Sequence, residues 1–347
     1  MATQERKELI EKLENNLKAR VLTVVTGDRQ GMETRIAPDI LPLVSEHLSN
    51  IKPTEDLALF LYTPGGDTIV GWGLVSLLRQ YSDKISVLVP FRALSCGTLI
   101  ALGADNLIMG THGFLSPIDP SVSSPFNPQA PGVQQPGIAT LLPVSVEDMV
   151  GFLDLARNEI GLGNEESMVE VINILADKVH PLALGAVYRA REQTSSLAKR
   201  LLLMHLQDEA KADHIVKQLT HELPTHNYLI GRSEAEDEIK IDIKKPSVET
   251  DRIMWKLYKD YENWLQLTEP FSAEHDLGTE QNKTIRYERA AVESIFNGKL
   301  SQHIFVTENV IFRAPGTLAG MQGVDTPALV RTLSQGWVAA EDGKVIT

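Results

Sequence analysis

The sequence predicts an α/β fold with a mostly parallel sheet. Its first third contains short, β-branched or near-continuous apolar runs, at residues 21–26, 57–63 and 85–90. Runs of this length that are bounded by turn-forming residues are typical of buried strands. Amphipathic segments lie between them, and buried strands that alternate with helices indicate a parallel sheet with covering helices.

The helices of the first third are predicted from periodicity and capping. Asp67 stands where a helix N-cap is expected, and Val70, Leu74, Val75 and Leu78 then fall on one stripe. The predicted elements of this region are strands at 21–26, 57–63, 85–90 and 106–110, and helices at 37–48, from Asp67 onward and at about 95–104.

The rest of the chain changes character several times. Residues 116–143 are rich in Pro, Ser and Gly, which predicts a long surface loop. Residues 145–222 have a helical pattern, with Asn164 as an N-cap and an interruption at Pro181. We predict a domain over 1–245 and an α+β extension over 246–347. The later elements are a strand, a short helix and a strand over 227–243, a helix near 250–265, and then a helix and a strand pair through 287–313.

Composition narrows the class of partner. The chain has 347 residues and a formal net charge of −13. Nucleic acid and anionic membrane surfaces both require a basic footprint, so neither is expected as the main partner. Cys96 is the single cysteine, which fits a reducing compartment. The charged N-terminus does not resemble a signal peptide, and the longest apolar stretch, near 93–104, is too short to span a bilayer. We expect a soluble, cytoplasmic protein.

Two turns carry the residues that chemistry could use. "TPGGD" (63–67) and "ALSCGT" (93–98) each follow an apolar strand and open a helix. Such turns meet at the carboxyl ends of parallel strands, where sites in open α/β sheets form. Gly65 and Gly66 can present bare backbone N–H groups, and Ser95 brings a hydroxyl beside the N–H of Cys96. These are the parts of an acyl-transfer site. The same residues could also form an ordinary turn and a serine that only caps a helix.

The two motifs resemble the Clp-protease and crotonase superfamily in its serine-protease branch. "TPGGD" is similar to the oxyanion-hole turn of Clp peptidases, and "ALSCGTLIALGADNLIMG" to the nucleophile helix of signal peptide peptidase A. The serine dehydrogenase proteinase family is the best match, and its pattern also covers "LSPIDP" (115–120), "ADKVHPLALGAVYRAR" (176–191) and "HNYLI" (226–230). The resemblance spans roughly residues 20–245. It implies a Clp-protease/crotonase-like fold with Ser95 as the nucleophile and Gly65, Gly66 and Cys96 as the oxyanion hole.

The general base has two candidates. Signal peptide peptidases use a lysine, which points to Lys178. A lysine base must be neutral, so we expect its amine to be buried within reach of Ser95. Clp peptidases use Ser-His-Asp. In that pattern Asp119 stands near the histidine's place and His226 near the aspartate's, so His226 oriented by Asp119 is the rival base.

Other side chains have simpler interpretations. His180 is a third choice of base after those two candidates, although its ordinary role would be to cap or pack beside Pro181. His112 is expected to lie in a turn. Cys96 has no histidine close in sequence and is a weaker nucleophile candidate than Ser95. No metal-ligand spacing, phosphate loop or dinucleotide fingerprint occurs, so no cofactor or metal is expected.

The function expected is that of a serine peptidase acting on peptides or proteins. The alternatives are a crotonase-like enzyme acting on acyl-thioesters and a non-catalytic scaffold of the same fold. The resemblance also implies a homo-oligomer. A separate ATPase partner is compatible with it, but the chain itself contains no ATPase motif. For the hole, we expect the N–H groups of both Gly65 and Gly66 to be unpaired within the protein.

Overall fold

The computed structural model describes residues 2–51, 56–118, 121–122, 125–128, 142, 144–223, 225, 227–313 and 327–346. Its contacts divide the chain into two compact units. The first comprises Met1–Leu115, Gly231–Ser233 and Asp242–Thr347, and the second Ser116–Ile230 and Glu234–Ile241. These limits differ from the predicted boundary at residue 245, because the C-terminal strands pair with the first strand of the chain.

One sheet organises the first unit and confirms the predicted α/β class. Nine strands in the described part of the chain follow the order β13-β12-β11-β10-β1-β2-β3-β4-β9. β1 to β4 and β9 pair in parallel, whereas β10 to β13 are antiparallel to their neighbours. The strands of this sheet are β1 (Arg20–Thr26), β2 (Leu57–Tyr62), β3 (Ile85–Val89), β4 (Asn106–Met109), β9 (Ile243–Lys244), β10 (Asn282–Phe296), β11 (Lys299–Arg313), β12 (Ala328–Glu341) and β13 (Lys344–Val345).

The helices predicted in the first third are present in the described chain, and a helix that was not predicted, Ala2–Leu17, precedes them. Asp67 caps its helix as expected, accepting a hydrogen bond from the Ile69 N–H at 2.8 Å. The helices are α1 (Ala2–Leu17), α2 (Ile40–Ser49), α3 (Thr68–Tyr81), α4 (Cys96–Leu102), α5 (Val146–Asp154), α6 (Glu165–Lys178), α7 (Pro181–Leu202), α8 (Glu209–Lys217), α9 (Arg232–Asp237), α10 (Val248–Leu265) and α11 (Ala273–Leu277). The remaining short strands are β5 (Phe114–Leu115), β6 (Ser121–Val122), β7 (Val144–Ser145) and β8 (Ile230–Gly231).

The region 287–313 differs from its prediction. The sequence favours a helix followed by two strands, but the structure has only the long strands β10 and β11 there. They are joined at Asn297 and Gly298, which have φ values of 49° and 72°. Asn-Gly is the residue pair that a tight hairpin turn requires, because both positions need positive φ. The Asn-Gly pair is therefore the local sequence signal for the hairpin, and the residues around it lie in strands and not in a helix.

The core of the first unit packs helices against the parallel strands. Every residue of β2 is buried, as the near-continuous apolar run predicts. α1 and α10 pack together, and their apolar faces join β1 and β2 in one cluster of buried side chains. β2 is therefore held rigidly, and the turn that follows it starts from a fixed point.

The second unit is mainly helical, as its sequence predicts. Asn164 caps α6 by accepting a hydrogen bond from the Ser167 N–H at 2.8 Å. Pro181 occupies the first turn of α7, where a missing N–H costs nothing. Most of the predicted 116–143 loop lies outside the described residues. Among the helices that the structure describes, none has the length and apolar character needed to cross a membrane.

Candidate active site

The glycine turn after β2 lies against the turn that contains Ser95. Thr63 forms a parallel bridge with Ala93, and the Leu94 N–H donates to the Thr63 carbonyl at 3.0 Å. A Cβ atom placed on Gly65 would stand 3.0 Å from the Ser95 Cβ and 3.4 Å from its Oγ. The structure thus brings together the two motifs that the sequence could only place at the same edge of the sheet.

Ser95 has an unusual backbone conformation. Its φ of 51° and ψ of −111° lie outside the regions that non-glycine residues ordinarily occupy. Its side chain does not cap α4, so the plain explanation of a helix-capping serine does not apply. Strained backbone persists only where the surroundings enforce it, and it is concentrated at functional sites. Ser95 is half-buried, with its hydroxyl beside Gly65.

Gly65 departs from its expected role. Its N–H donates to the Thr63 Oγ1 at 3.0 Å, so the expectation that this N–H is unpaired is wrong. Its carbonyl accepts from the Ile36 N–H at 2.9 Å and from the Thr63 hydroxyl at 3.2 Å. Gly65 has a φ of 122° and contacts Ser95 too closely to carry a side chain. Because it has no side chain, Gly65 allows the backbone of the glycine turn to approach Ser95 closely.

Gly66 is the glycine of the turn whose N–H has no hydrogen-bond acceptor among the described residues. The backbone here is fixed on the other side, because the Asp67 N–H donates to the Ile36 carbonyl at 2.9 Å. A Cβ on Gly66 would lie 2.2 Å from that carbonyl oxygen, and the φ of 154° also disfavours a side chain. Ile36 thus braces the turn from the side opposite Ser95.

Cys96 contributes its backbone and not its thiol. Its N–H begins α4 and finds no acceptor among the described residues, as expected for a first-turn N–H. The Sγ is buried and donates to the Asp67 carbonyl at 3.1 Å. Burial, with the nearby Asp67 charge, raises the thiol pKa to about 12. A thiol that remains protonated at neutral pH is a poor nucleophile.

Close helix packing explains two further glycines, Gly97 of the serine motif and Gly71 of α3. A Cβ on Gly97 would lie 2.5 Å from the Thr63 Cγ2, and one on Gly71 would lie 2.6 Å from the Cys96 Sγ. Glycine at both positions lets α3, α4 and the glycine turn approach one another. Sequence reasoning missed Thr63 and Ile36, which hold the turn. Thr63 is part of the "TPGG" motif, but its hydroxyl contact depends on a three-dimensional approach that no spacing reveals.

The base candidates belong to other parts of the chain. Lys178 is the last residue of α6 in the second unit, and its side chain is exposed there, contrary to the expected burial. Asp119 and His226 lie outside the described residues. The choice between Lys178 and His226 therefore stays a prediction.

Two histidines have the ordinary roles that the sequence predicts. His180 caps α7, where its Nδ1 accepts from the Leu182 N–H at 3.1 Å, and its ring stacks on Phe126. His112 lies in a turn and stacks on Trp255, with ring centroids 4.1 Å apart. Across the residues that the structure covers, no three His, Cys, Asp or Glu side chains are grouped in a way that could hold a metal ion.

The family model for ClpP-like SDH-type serine proteinases matches residues 1–134, which include Ser95 and both glycines. Over this segment, which is less than half of the chain, the protein is similar to the serine dehydrogenase proteinase family. The family is one of serine proteinases, which supports a hydrolase at this level.

Two proteins of Methanocaldococcus jannaschii, both titled uncharacterized, are similar to this chain. The first is 28% identical over 203 residues, which is 58% of this chain and 58% of the relative. The second is 36% identical over 64 residues, or 18% of this chain and 22% of the relative. The matched parts cover less than two thirds of either relative, so the similarity carries no activity from them to this chain.

Proposed function

We propose that this protein is a serine peptidase in which Ser95 forms an acyl-enzyme. The observation that carries the proposal is the contact between the Ser95 turn and the glycine turn, with Ser95 held in a strained backbone conformation. Ser95 Oγ attacks the carbonyl carbon of a peptide bond and gives its proton to the base. The base returns that proton to the peptide nitrogen, the C–N bond breaks and the amine leaves, and water then hydrolyses the ester at Ser95.

The oxyanion hole in this proposal consists of the N–H groups of Gly66 and Cys96. Both belong to the turns that meet at Ser95, and no described residue accepts a hydrogen bond from either of them. Backbone donors of this kind stabilise the charge that develops on the carbonyl oxygen, and they need no reorganisation during the reaction. Gly65, whose N–H is bound to Thr63, is not a donor in this scheme.

The nucleophile is tested with a fluorophosphonate probe. Ser95→Ala removes one oxygen and no side-chain cap, so we expect a folded protein that is no longer labelled. Cys96→Ala is the matched control, because it removes the neighbouring nucleophilic atom and keeps the N–H. We expect it to remain labelled. If folded Ser95→Ala is labelled as fast as the wild type, Ser95 is not the nucleophile, and the thioester or scaffold alternative takes its place.

The base is assigned with two further variants, Lys178→Ala and His226→Ala, labelled across a range of pH. A lysine base requires a pKa lowered from its reference of about 10.4, whereas a histidine starts near 6.5. Loss of labelling near neutral pH in only one variant identifies the base. An effect of Asp119→Asn that parallels His226→Ala would support a histidine oriented by a carboxylate.

A further inference from the structure

A cavity of about 290 Å³ opens beside the glycine turn, within the first unit. One wall is the segment after β1, and the other is formed by β10, β11 and β12. Those three strands lie outside the residues matched by the proteinase family model. The side chains that decide its chemistry are Glu33, Arg35, Asp39, Arg289, Phe305 and Trp337.

The cavity is joined to the candidate active site through Ile36. The backbone of Ile36 is hydrogen-bonded to Gly65 and Asp67, and its side chain is buried. Successive side chains along an extended segment point to opposite faces. Arg35 and Ala37, the neighbours of Ile36, accordingly line the cavity. One short segment therefore braces the glycine turn through the backbone of Ile36 and lines the cavity with the residues on either side of it, Arg35 and Ala37.

Most charged groups of the cavity already have partners. Arg289 donates to the Met32 carbonyl and to the Thr307 hydroxyl, both at 2.9 Å. The Asp39 carboxylate accepts from the Trp337 indole N–H at 2.9 Å. These bonds fix the walls of the cavity and leave both side chains less available to a ligand.

Arg35 is different. Its guanidinium is exposed, and it forms no ion pair or hydrogen bond with any described residue. Glu33 is close enough for its charge to interact with Arg35, but its carboxylate accepts from the Gly31 N–H at 2.9 Å. An arginine fork binds carboxylates through two parallel hydrogen bonds. Arg35 is thus the group in the cavity wall best placed to recognise an anion.

The aromatic wall adds an apolar surface. Phe305 and Trp337 pack edge to face, with ring centroids 5.3 Å apart, and both are only partly buried. A ligand that presents a carboxylate on a short apolar stem would contact the rings and Arg35 together. Phosphate or sulfate would gain nothing from the aromatic surface, and the neighbouring Glu33 and Asp39 disfavour a highly charged anion.

We propose that this cavity is a substrate subsite for a carboxylate-bearing residue of a peptide. The cavity lies beside Ile36, whose backbone braces the glycine turn next to Ser95, so a peptide bound at Ser95 would place a residue on one side of the scissile bond near the cavity. The carboxylate belongs either to an acidic side chain or to the C-terminus of the peptide. The assignment rests on the proposed function, because it takes the ligand to be the peptide that Ser95 cleaves.

The test measures binding to the Ser95→Ala protein by titration calorimetry, so that no peptide is cleaved. The probes are capped octa-alanine peptides that carry one glutamate at each position in turn, each paired with the same peptide carrying glutamine. We expect at least one glutamate peptide to bind about tenfold more tightly than its glutamine partner. Arg35→Gln should abolish that difference, whereas Arg331→Gln, an exposed arginine on β12 that does not line the cavity, should preserve it.

An uncapped peptide distinguishes the two sources of the carboxylate. If octa-alanine with a free C-terminus shows the Arg35-dependent preference over its amide, and no glutamate peptide does, the cavity recognises a chain end. If neither carboxylate raises affinity in an Arg35-dependent way, the subsite proposal is wrong. Fluorophosphonate labelling of Ser95 is scored separately on the wild type, so failure of the subsite does not count against the nucleophile, nor the reverse.

Discussion

The parallel and antiparallel halves of the large sheet use polar residues differently. In the parallel half, β1 to β4, the polar groups of interest stand just beyond the strands, at Thr63, Gly66 and Ser95. In the antiparallel half, β10 to β12, they lie inside the strands: Glu293 in β10 and Gln302 in β11 are buried and bonded to each other. The two halves differ in whether their polar groups have hydrogen-bond partners within the protein. Glu293 and Gln302 find partners within the protein, whereas the turns keep two backbone N–H groups without a described acceptor.

Buried charges link the antiparallel half of the sheet to α1 and α10. Glu293 accepts hydrogen bonds from Tyr261 and Gln302 and lies 3.4 Å from the Arg6 guanidinium. Arg6 is itself buried, 3.8 Å from the Trp264 ring centroid and 3.3 Å from the Asp260 carboxylate. Burial raises the Asp260 pKa, although Arg6 opposes the shift. This network ties α1 and α10 to β10, so its expected role is stability and not chemistry.

The largest effect expected on chemistry follows from Gly66→Ala. The added Cβ would collide with the Ile36 carbonyl oxygen, so the turn must move and the Gly66 N–H with it. Removing one oxyanion-hole donor typically slows catalysis by about 10²–10³-fold, and we expect probe labelling to slow by a similar factor. Gly73→Ala in α3 is the control, because its Cβ would meet only Leu41 at ordinary distances. Unchanged labelling in Gly66→Ala would show that the Gly66 N–H is not part of the oxyanion hole.

Glu293→Ala is expected to lower stability and to leave probe labelling unchanged. It leaves Arg6 buried with fewer partners, and breaking a buried pair costs about 3–5 kcal/mol in the free energy of unfolding. Labelling of the folded fraction should be unchanged, since the network does not contact Ser95. The control is Glu280→Ala, which removes an exposed pair with Lys283 that is worth little. Denaturant unfolding measures both variants. Slower labelling in folded Glu293→Ala would show that the buried network of the antiparallel half also affects the reactivity of Ser95.

Sequence predicted the parallel half well. Strands β1 to β4 are continuous apolar runs, and Asp67 has the residue type and position of an N-cap, so local pattern alone was sufficient. The proximity of Gly65 to Ser95 followed from a general rule on strand ends and from the family resemblance. The fate of the Gly65 N–H did not follow, because it depends on the rotamer of Thr63.

The antiparallel half was harder to predict for a physical reason. Its strands carry buried Glu293, Gln302 and His303, which interrupt the apolar alternation from which a strand is recognised. These residues are tolerated inside only because distant residues, such as Arg6, satisfy them. The cavity is equally non-local, since Arg35 and Trp337 meet only when β12 has joined the sheet.

Thr63→Val tests a residue that is buried and hydrogen-bonded but also belongs to the turn at the candidate site. Thr63 is buried and bonded like the antiparallel polar groups, yet it belongs to the turn of the site. The valine methyl leaves the Gly65 N–H without its acceptor, which costs about 1–3 kcal/mol. We also expect a severalfold loss in labelling rate, because the turn loosens. Thr23→Val, which removes a buried hydroxyl bonded to Tyr261 at 2.8 Å, should lower stability without slowing labelling. Equal labelling in both variants would show that the hydroxyl of Thr63 serves stability only.

The smallest effect concerns a buried histidine pair between α2 and the antiparallel strands. The His47 Nδ1 lies 2.7 Å from the Ser294 Oγ, and its Nε2 lies 3.0 Å from the His303 Nδ1. Burial, with the neighbouring His303, lowers the His47 pKa to about 3. Burial also lowers the pKa of His303, although Glu46 opposes the shift. Both rings are therefore neutral in the folded protein at pH values where they would bind protons in the unfolded chain.

The sign of the pH dependence follows from those pKa values. Below about pH 6.5 the unfolded chain binds protons that the folded protein does not, so the free energy of unfolding falls as pH decreases from 6.5 towards 3. A histidine that stays neutral contributes a slope of at most about 1.4 kcal/mol per pH unit in that range. His47→Gln should flatten the dependence measured by urea unfolding at several pH values, whereas His275→Gln, an exposed histidine, should leave it unchanged. A wild-type stability that does not change between pH 6.5 and 4.5 would contradict the neutral pair. It would mean that the antiparallel half tolerates a buried charge at this position.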